Sequence, residues 1–140
     1  MANQTYTSNY IGGMAFETMM GEHKVVVDAD PQFGGEEKGP LPKPLLLNSL
    51  AGCTGMDVVS LLKKMRVEFS DLSIKIEANL TDEHPKYYDK IHLIYSIKAK
   101  EEDRAKVEKA VNYSQERYCG VSFMLAKAAE LTYEIDLRPL

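Results

Sequence analysis

Between Leu45 and Met65 the chain sets Leu46, Leu47, Leu50, Ala51, Met56, Val58, Val59, Leu61, Leu62 and Met65 at helical spacing on more than one face. A helix this apolar cannot be covered by one face of one sheet, so it must run through a core or between chains. Pro42 and Pro44 suit a first helical turn, while Asn48 and Ser49 are alternative N-caps a turn later. From either start Cys53 is expected in the N-terminal half of the helix.

The remaining segments are read from their periods. Short strands joined by turns at Gly12-Gly13 and Gly21 fill the first part of the chain, and His23 to Val27 is strand-like. Asp28 to Pro44 is rich in Pro and Gly and predicts a loop able to cover a site. Period-two alternation sets Leu72, Ile74, Ile76, Ala78 and Leu80 on one face of a strand, and Ile91, Leu93, Tyr95, Ile97 and Ala99 on the inner face of the next. Glu101 to Tyr118 predicts an amphipathic helix with Val107, Ala110, Val111 and Tyr118 on its apolar stripe. Ser122 is a candidate cap for a short helix from Phe123 to Glu130, and Leu131, Tyr133, Ile135 and Leu137 form one face of a closing strand. Strands around segregated helices predict an α+β domain rather than a parallel βαβ sheet.

At 140 residues, 44% hydrophobic and 27% charged, the composition is that of one globular domain, 1–140. Seventeen Lys and Arg against 21 Asp and Glu leave no basic excess to displace counterions, so nucleic acid is excluded as a partner class. The longest aliphatic runs, Val25 to Val27 and Leu45 to Leu47, fall far short of the ~18 apolar residues of a membrane span. Met1 to Tyr10 lacks the charged and apolar regions of a secretory signal, so a cytoplasmic protein is expected. Walker, GxGxxG and GxSxG motifs are missing, as are Cys or His pairs at metal-ligand spacing, and neither a cofactor nor a metal is expected.

Chemistry therefore rests on two thiols. A cysteine near a helix N-terminus sees the positive end of the macrodipole, which favours thiolate and makes Cys53 the nucleophile candidate. Gly52 and Gly55 flank it at ~1 kcal/mol each relative to Ala, implying close packing or close substrate approach. Asp57, one turn on, opposes ionisation by like charge. Cys119, beside Gly120 at a helix junction expected to move, suits a resolving thiol that condenses with a sulfenic acid. Each cysteine taken singly reads first as core filling, because free Cys is among the most buried residue types. His23, His84 and His92 fall at surface positions.

The run Gly39-Pro40-Leu41-Pro42-Lys43-Pro44-Leu45-Leu46-Leu47-Asn48-Ser49-Leu50-Ala51-Gly52-Cys53-Thr54-Gly55-Met56-Asp57-Val58-Val59, with Tyr118-Cys119-Gly120-Val121-Ser122 downstream, resembles the OsmC/Ohr family, most of all its OsmC-like branch. The resemblance implies antiparallel sheets packed on a long central cysteine-bearing helix, in an intertwined homodimer with each site at the subunit interface. It implies a thiol-dependent peroxidase that reduces organic hydroperoxides. Cys53 matches the peroxidatic cysteine, and Cys119 the resolving cysteine that closes a disulfide for an external dithiol to reduce. Peroxide-reducing relatives also carry an Arg near the N-terminal glycine turn and a Glu at the start of the cysteine helix. Here no Arg precedes Arg66, and Pro44 and Lys43 stand nine and ten residues before Cys53, which leaves Lys43 as the candidate thiolate-stabilising charge. Two readings follow: a hydroperoxide reductase, or a weakly catalytic or non-catalytic relative that binds a small ligand or senses redox state.

Overall fold

The computed structural model describes residues 2–140, which fall into two compact units, Met1–Leu46 and Leu47–Leu140. In the first, β1 (Ser8–Tyr10), β2 (Phe16–Met20) and β3 (His23–Val27) form an antiparallel meander, with Tyr10 opposite Phe16 and Phe16 opposite Val27. Gly12 (φ 105°) and Gly21 (φ 65°) make the turns in the left-handed region that glycine tolerates. The loop that follows is pinned by the buried Asp28, whose carboxylate accepts from the backbone N–H groups of Ala29 (2.8 Å), Glu36 (3.0 Å) and Lys38 (3.2 Å). These bonds, that from Glu36 foremost, hold its carboxyl below the usual carboxylate range. A side chain at Gly39 would collide with the Val26 carbonyl.

Helix α1 (Pro42–Lys64) starts on its prolines, earlier than the Asn48 or Ser49 caps would have it. Its buried residues, Leu50, Thr54, Val58 and Leu62, recur every four positions and so share one face. The helix has the length and mean hydropathy, 1.5 over 18 residues, of a membrane span, which the short aliphatic runs do not reveal. The buried leucines and valine of that face belong instead to the core of the second unit.

That core is built on a sheet of order β4 (Phe69–Leu80), β5 (Tyr88–Ala99), β6 (Glu130–Arg138). Every second residue of β5 from Ile91 to Ala99 is buried, as the alternation predicts, with Leu50, Val58 and Leu62 of α1 and Val107, Ala110 and Val111 of α2 (Arg104–Tyr113) in the same cluster. β4 and β5 pair antiparallel, Ile74 opposite Tyr95. The α+β architecture stands, but β6 pairs parallel to β5, with Tyr95 opposite Ile135. α2 and α3 (Gly120–Leu125) occupy the connection and return the chain to the same end of the sheet, the crossover a parallel pair requires.

Two local expectations are corrected. The second long helix is interrupted: α2 ends at Tyr113 and a π-helical turn, Ser114–Tyr118, follows. The wider turn rotates Tyr118 off the apolar stripe, and it is exposed. The third helix begins at Gly120 with Cys119, not Ser122, as its N-cap.

Leu62 has no solvent exposure. Leu62→Ala is expected to cost about 2–5 kcal/mol of unfolding free energy in urea at matched protein concentration, from lost burial plus the cavity left behind. A cost near zero would mean that α1 does not pack as described.

Candidate active site

Cys53 is the twelfth of the 23 residues of α1, about three turns from the N-terminus. The macrodipole acts only within the first turn or so, so it does not carry the expected thiolate stabilisation. α1 begins on Pro42, the earlier of the two expected starts, which adds turns ahead of the cysteine. Lys43 lies ten residues before Cys53, about 15 Å along a helix axis. Gly55 has the packing reason expected of it, since a Cβ there would stand 3.2 Å from Ile74 Cδ1, whereas the space beside Gly52 is open.

The π-helical turn delivers the second thiol. It is capped by Cys119, whose backbone N–H donates to the Ser114 carbonyl (2.8 Å) and whose Sγ accepts from the Ser122 N–H (3.3 Å) as it caps α3. Cys119 is only 3% exposed, so the junction is packed rather than open. Cys53 is half-buried, and both thiols are free. The two Sγ atoms and one carboxylate oxygen of Asp57 all lie within 4.8 Å of one another. Burial pushes the Cys119 thiol above its ordinary value; hydrogen bonds from Ser122 oppose this, and the adjacent Cys53 adds to it by hydrogen bond and charge. Cys119 therefore tends to keep its proton beside Cys53.

Beneath the thiols runs a chain of buried hydroxyls that the sequence did not disclose. Asp57 Oδ2 accepts from Ser114 Oγ (2.9 Å). Ser114 Oγ and Thr54 Oγ1 are 2.7 Å apart, Thr54 Oγ1 and Tyr95 OH 2.7 Å, and Gln115 Nε2 donates to Tyr95 OH (2.6 Å). Each hydroxyl has one proton and the ionised carboxylate can only accept, so the direction is set. Gln115 donates to Tyr95, Tyr95 to Thr54, Thr54 to Ser114, and Ser114 to Asp57. Thr54, Ser114 and Tyr95 are at most 1% exposed, so each partner is needed to offset desolvation. In the sequence Thr54 stands out only as a small polar residue within the apolar run of α1, and Ser114, between Tyr113 and Gln115, carries no such mark.

Burial, partly offset by Thr54 and Gln115, raises the Tyr95 phenol above its ordinary 10.0, and Tyr133 is raised by burial and by Glu116. With Cys119 raised from 9.0, the folded chain binds more protons than the unfolded one at alkaline pH, and stability must fall as pH climbs through these unfolded values. Thermal melts are expected to drop from pH 9 upward, less steeply for Tyr95→Phe than for the wild type. Parallel curves for the two proteins would deny Tyr95 this role.

Two surface concavities adjoin α1. An open, largely apolar groove of 710 Å³, lined by Gly52, Met56, Val59, Leu72 and Ile74 among others, includes neither cysteine. A depression of 340 Å³ is lined by Asp57, Ser60, Leu61, Lys64 and Tyr118, on the side of the thiols.

The profile of the family described as OsmC-like protein matches residues 35–134, which span both cysteines and the carboxylate between them. The chain belongs to the OsmC-like family. Protein YhfA of Escherichia coli K12 is 31% identical over 124 residues, covering 86% of this chain and 90% of that protein. A hypothetical protein from Aquifex aeolicus has the same fold, with a TM-score of 0.79, 27% identity and coverage of 99% of each chain. The fold also matches that of an organic hydroperoxide resistance protein OsmC from Legionella pneumophila, with a TM-score of 0.65 and 18% identity, over 97% of this chain and 99% of that one.

Proposed function

We propose that this OsmC-like protein is a thiol-dependent reductase of organic hydroperoxides. The observation that carries the proposal is the approach of the two thiols to within 4.8 Å, one half-buried and reachable, the other buried behind it. The Cys53 thiolate attacks one peroxide oxygen, the O–O bond breaks, and the alkoxide leaves as an alcohol after taking up a proton. Cys53 becomes a sulfenic acid. Cys119 then attacks that sulfur, water departs, and the disulfide is returned to two thiols by an external dithiol. The cycle as proposed uses no bound cofactor or metal, and its need for an external dithiol fits a reducing compartment such as the cytoplasm. The Legionella pneumophila relative, named for hydroperoxide resistance, supports the substrate class.

Closing the disulfide, from a separation within 4.8 Å to about 2.05 Å, draws Cys119 Sγ away from the Ser122 amide, a local rearrangement at a helix junction. Lys43, some 15 Å along α1, supplies at most a long-range charge that salt screens. A second reading is favoured by one observation: an acidic side chain, Asp57, and not an arginine, stands beside the thiols. In that reading the pair senses redox state or marks a small-ligand site with little turnover.

One equivalent of tert-butyl hydroperoxide added to the reduced protein is expected to remove two hydrogens from the intact mass and yield a Cys53–Cys119 cross-linked peptide. Sulfenic or sulfinic acid on Cys53 with Cys119 still alkylatable would reject the resolving role.

A further inference from the structure

Two thiols and a carboxylate within 4.8 Å of one another are a dense set of metal-ligating donors, and among the described residues Asp57 makes no ion pair with any basic side chain. We propose that the reduced protein binds one thiophilic divalent cation, zinc being the natural candidate, through Cys53 Sγ, Cys119 Sγ and a carboxylate oxygen of Asp57. Two sulfurs select a soft or borderline metal over calcium or magnesium, which take oxygen ligands. The dimensions suit a tetrahedral ion. Zn–S bonds of about 2.3 Å and Zn–O of about 2.0 Å place neighbouring ligand atoms about 3.5–3.8 Å apart, so donors already within 4.8 Å of one another need to close by at most about 1 Å.

The surroundings supply what a metal site needs beyond its ligands. Asp57 Oδ2 is held by Ser114 Oγ (2.9 Å), itself the end of the buried chain from Gln115 through Tyr95 and Thr54, which orients the carboxylate as outer-sphere partners orient ligands in zinc sites. Three protein ligands leave a fourth position for water or a small thiol. On binding, two S–H bonds break, two metal–sulfur bonds form and two protons pass to the buffer, while the carboxylate joins already ionised. No electron is transferred. The site therefore exists only in the dithiol state, since a disulfide has no thiolate to offer. As far as the peroxidase reading holds, the cation also takes the Cys53 lone pair that would attack the peroxide, so the bound metal is an inhibitor.

Anaerobic titration of the chelator-stripped, reduced protein with Co²⁺ alone tests the site, and Zn²⁺ then displaces the cobalt. One Co²⁺ per chain is expected, with thiolate-to-cobalt charge-transfer absorption and the visible bands of a tetrahedral ion. Diamide oxidation should abolish both. Cys119→Ser should lose about half of the charge-transfer intensity. Ser114→Ala should weaken binding about 10-fold through loss of an outer-sphere partner, and Asp57→Asn by at least as much. Circular dichroism establishes that each variant is folded. An absent charge-transfer band, a band that survives diamide, or an unchanged affinity in folded Asp57→Asn overturns the site. Hydroperoxide turnover is assayed separately in chelating buffer. Cobalt binding without such turnover leaves the site standing and removes the peroxidase reading; turnover without cobalt binding does the reverse.

Discussion

Replacing Cys53 by serine is expected to lower dithiol-dependent consumption of an organic hydroperoxide by about 10³-fold or more, because a serine hydroxyl supplies neither the thiolate nor its nucleophilicity. The substitution should leave the fold intact, since Cys53 is only half-buried and serine differs from it by one atom. Cys119→Ser should behave differently. Its first turnover is retained, releasing one equivalent of alcohol, and the cycle then stalls at the Cys53 sulfenic acid. A Cys53→Ser variant that still turns over at the wild-type rate would remove the thiol from the chemistry and favour the ligand-binding reading. Wild-type protein that forms the disulfide but turns over slowly would favour a redox sensor, with the acidic Asp57 as the physical reason.

Dilution is expected not to yield a folded monomer. In the unit Met1–Leu46, Tyr10, Met14, Phe16, Met19, Met20 and Phe33 are all more than 40% exposed. Along α1 only Leu50, Thr54, Val58 and Leu62 are buried, while Leu46 and Met56, at 47% and 74% exposure, remain open. Exposed apolar surface on this scale, on a meander and on a long helix, is what a second copy would cover. We expect an obligate two-fold dimer burying more than about 2,000 Å². Its unfolding free energy should rise by about 1.4 kcal/mol for each tenfold increase in protein concentration, by mass action. Light scattering combined with urea unfolding over a range of concentrations reads both quantities. A folded species of monomer mass at low micromolar concentration, or a midpoint independent of concentration, would defeat the dimer and with it a site at the subunit interface.

The part of this protein legible in the sequence is the part governed by local periodicity and by chemically unusual residues. α1 declared itself through the apolar run from Leu45, β5 through the strict alternation from Ile91 to Ala99, and β6 through Leu131, Tyr133, Ile135 and Leu137, because a helix and a strand each impose a fixed period on side chains that must be buried. The cysteines were found by their flanking motifs. Tertiary structure decided what periodicity does not encode. The parallel pairing of β6 with β5 depends on where the α2–α3 connection delivers the chain, and the exposure of Tyr118 depends on a π-helical turn that no hydrophobic pattern marks. The meeting of Cys53 with Cys119, and of Asp57 with Ser114, joins residues nearly sixty or more positions apart. A hydroxyl such as that of Thr54 or Ser114 looks the same in the sequence whether water or a buried partner satisfies it. Only packing against Tyr95 and Gln115, where water is excluded, turns those residues into one directed chain ending at the carboxylate.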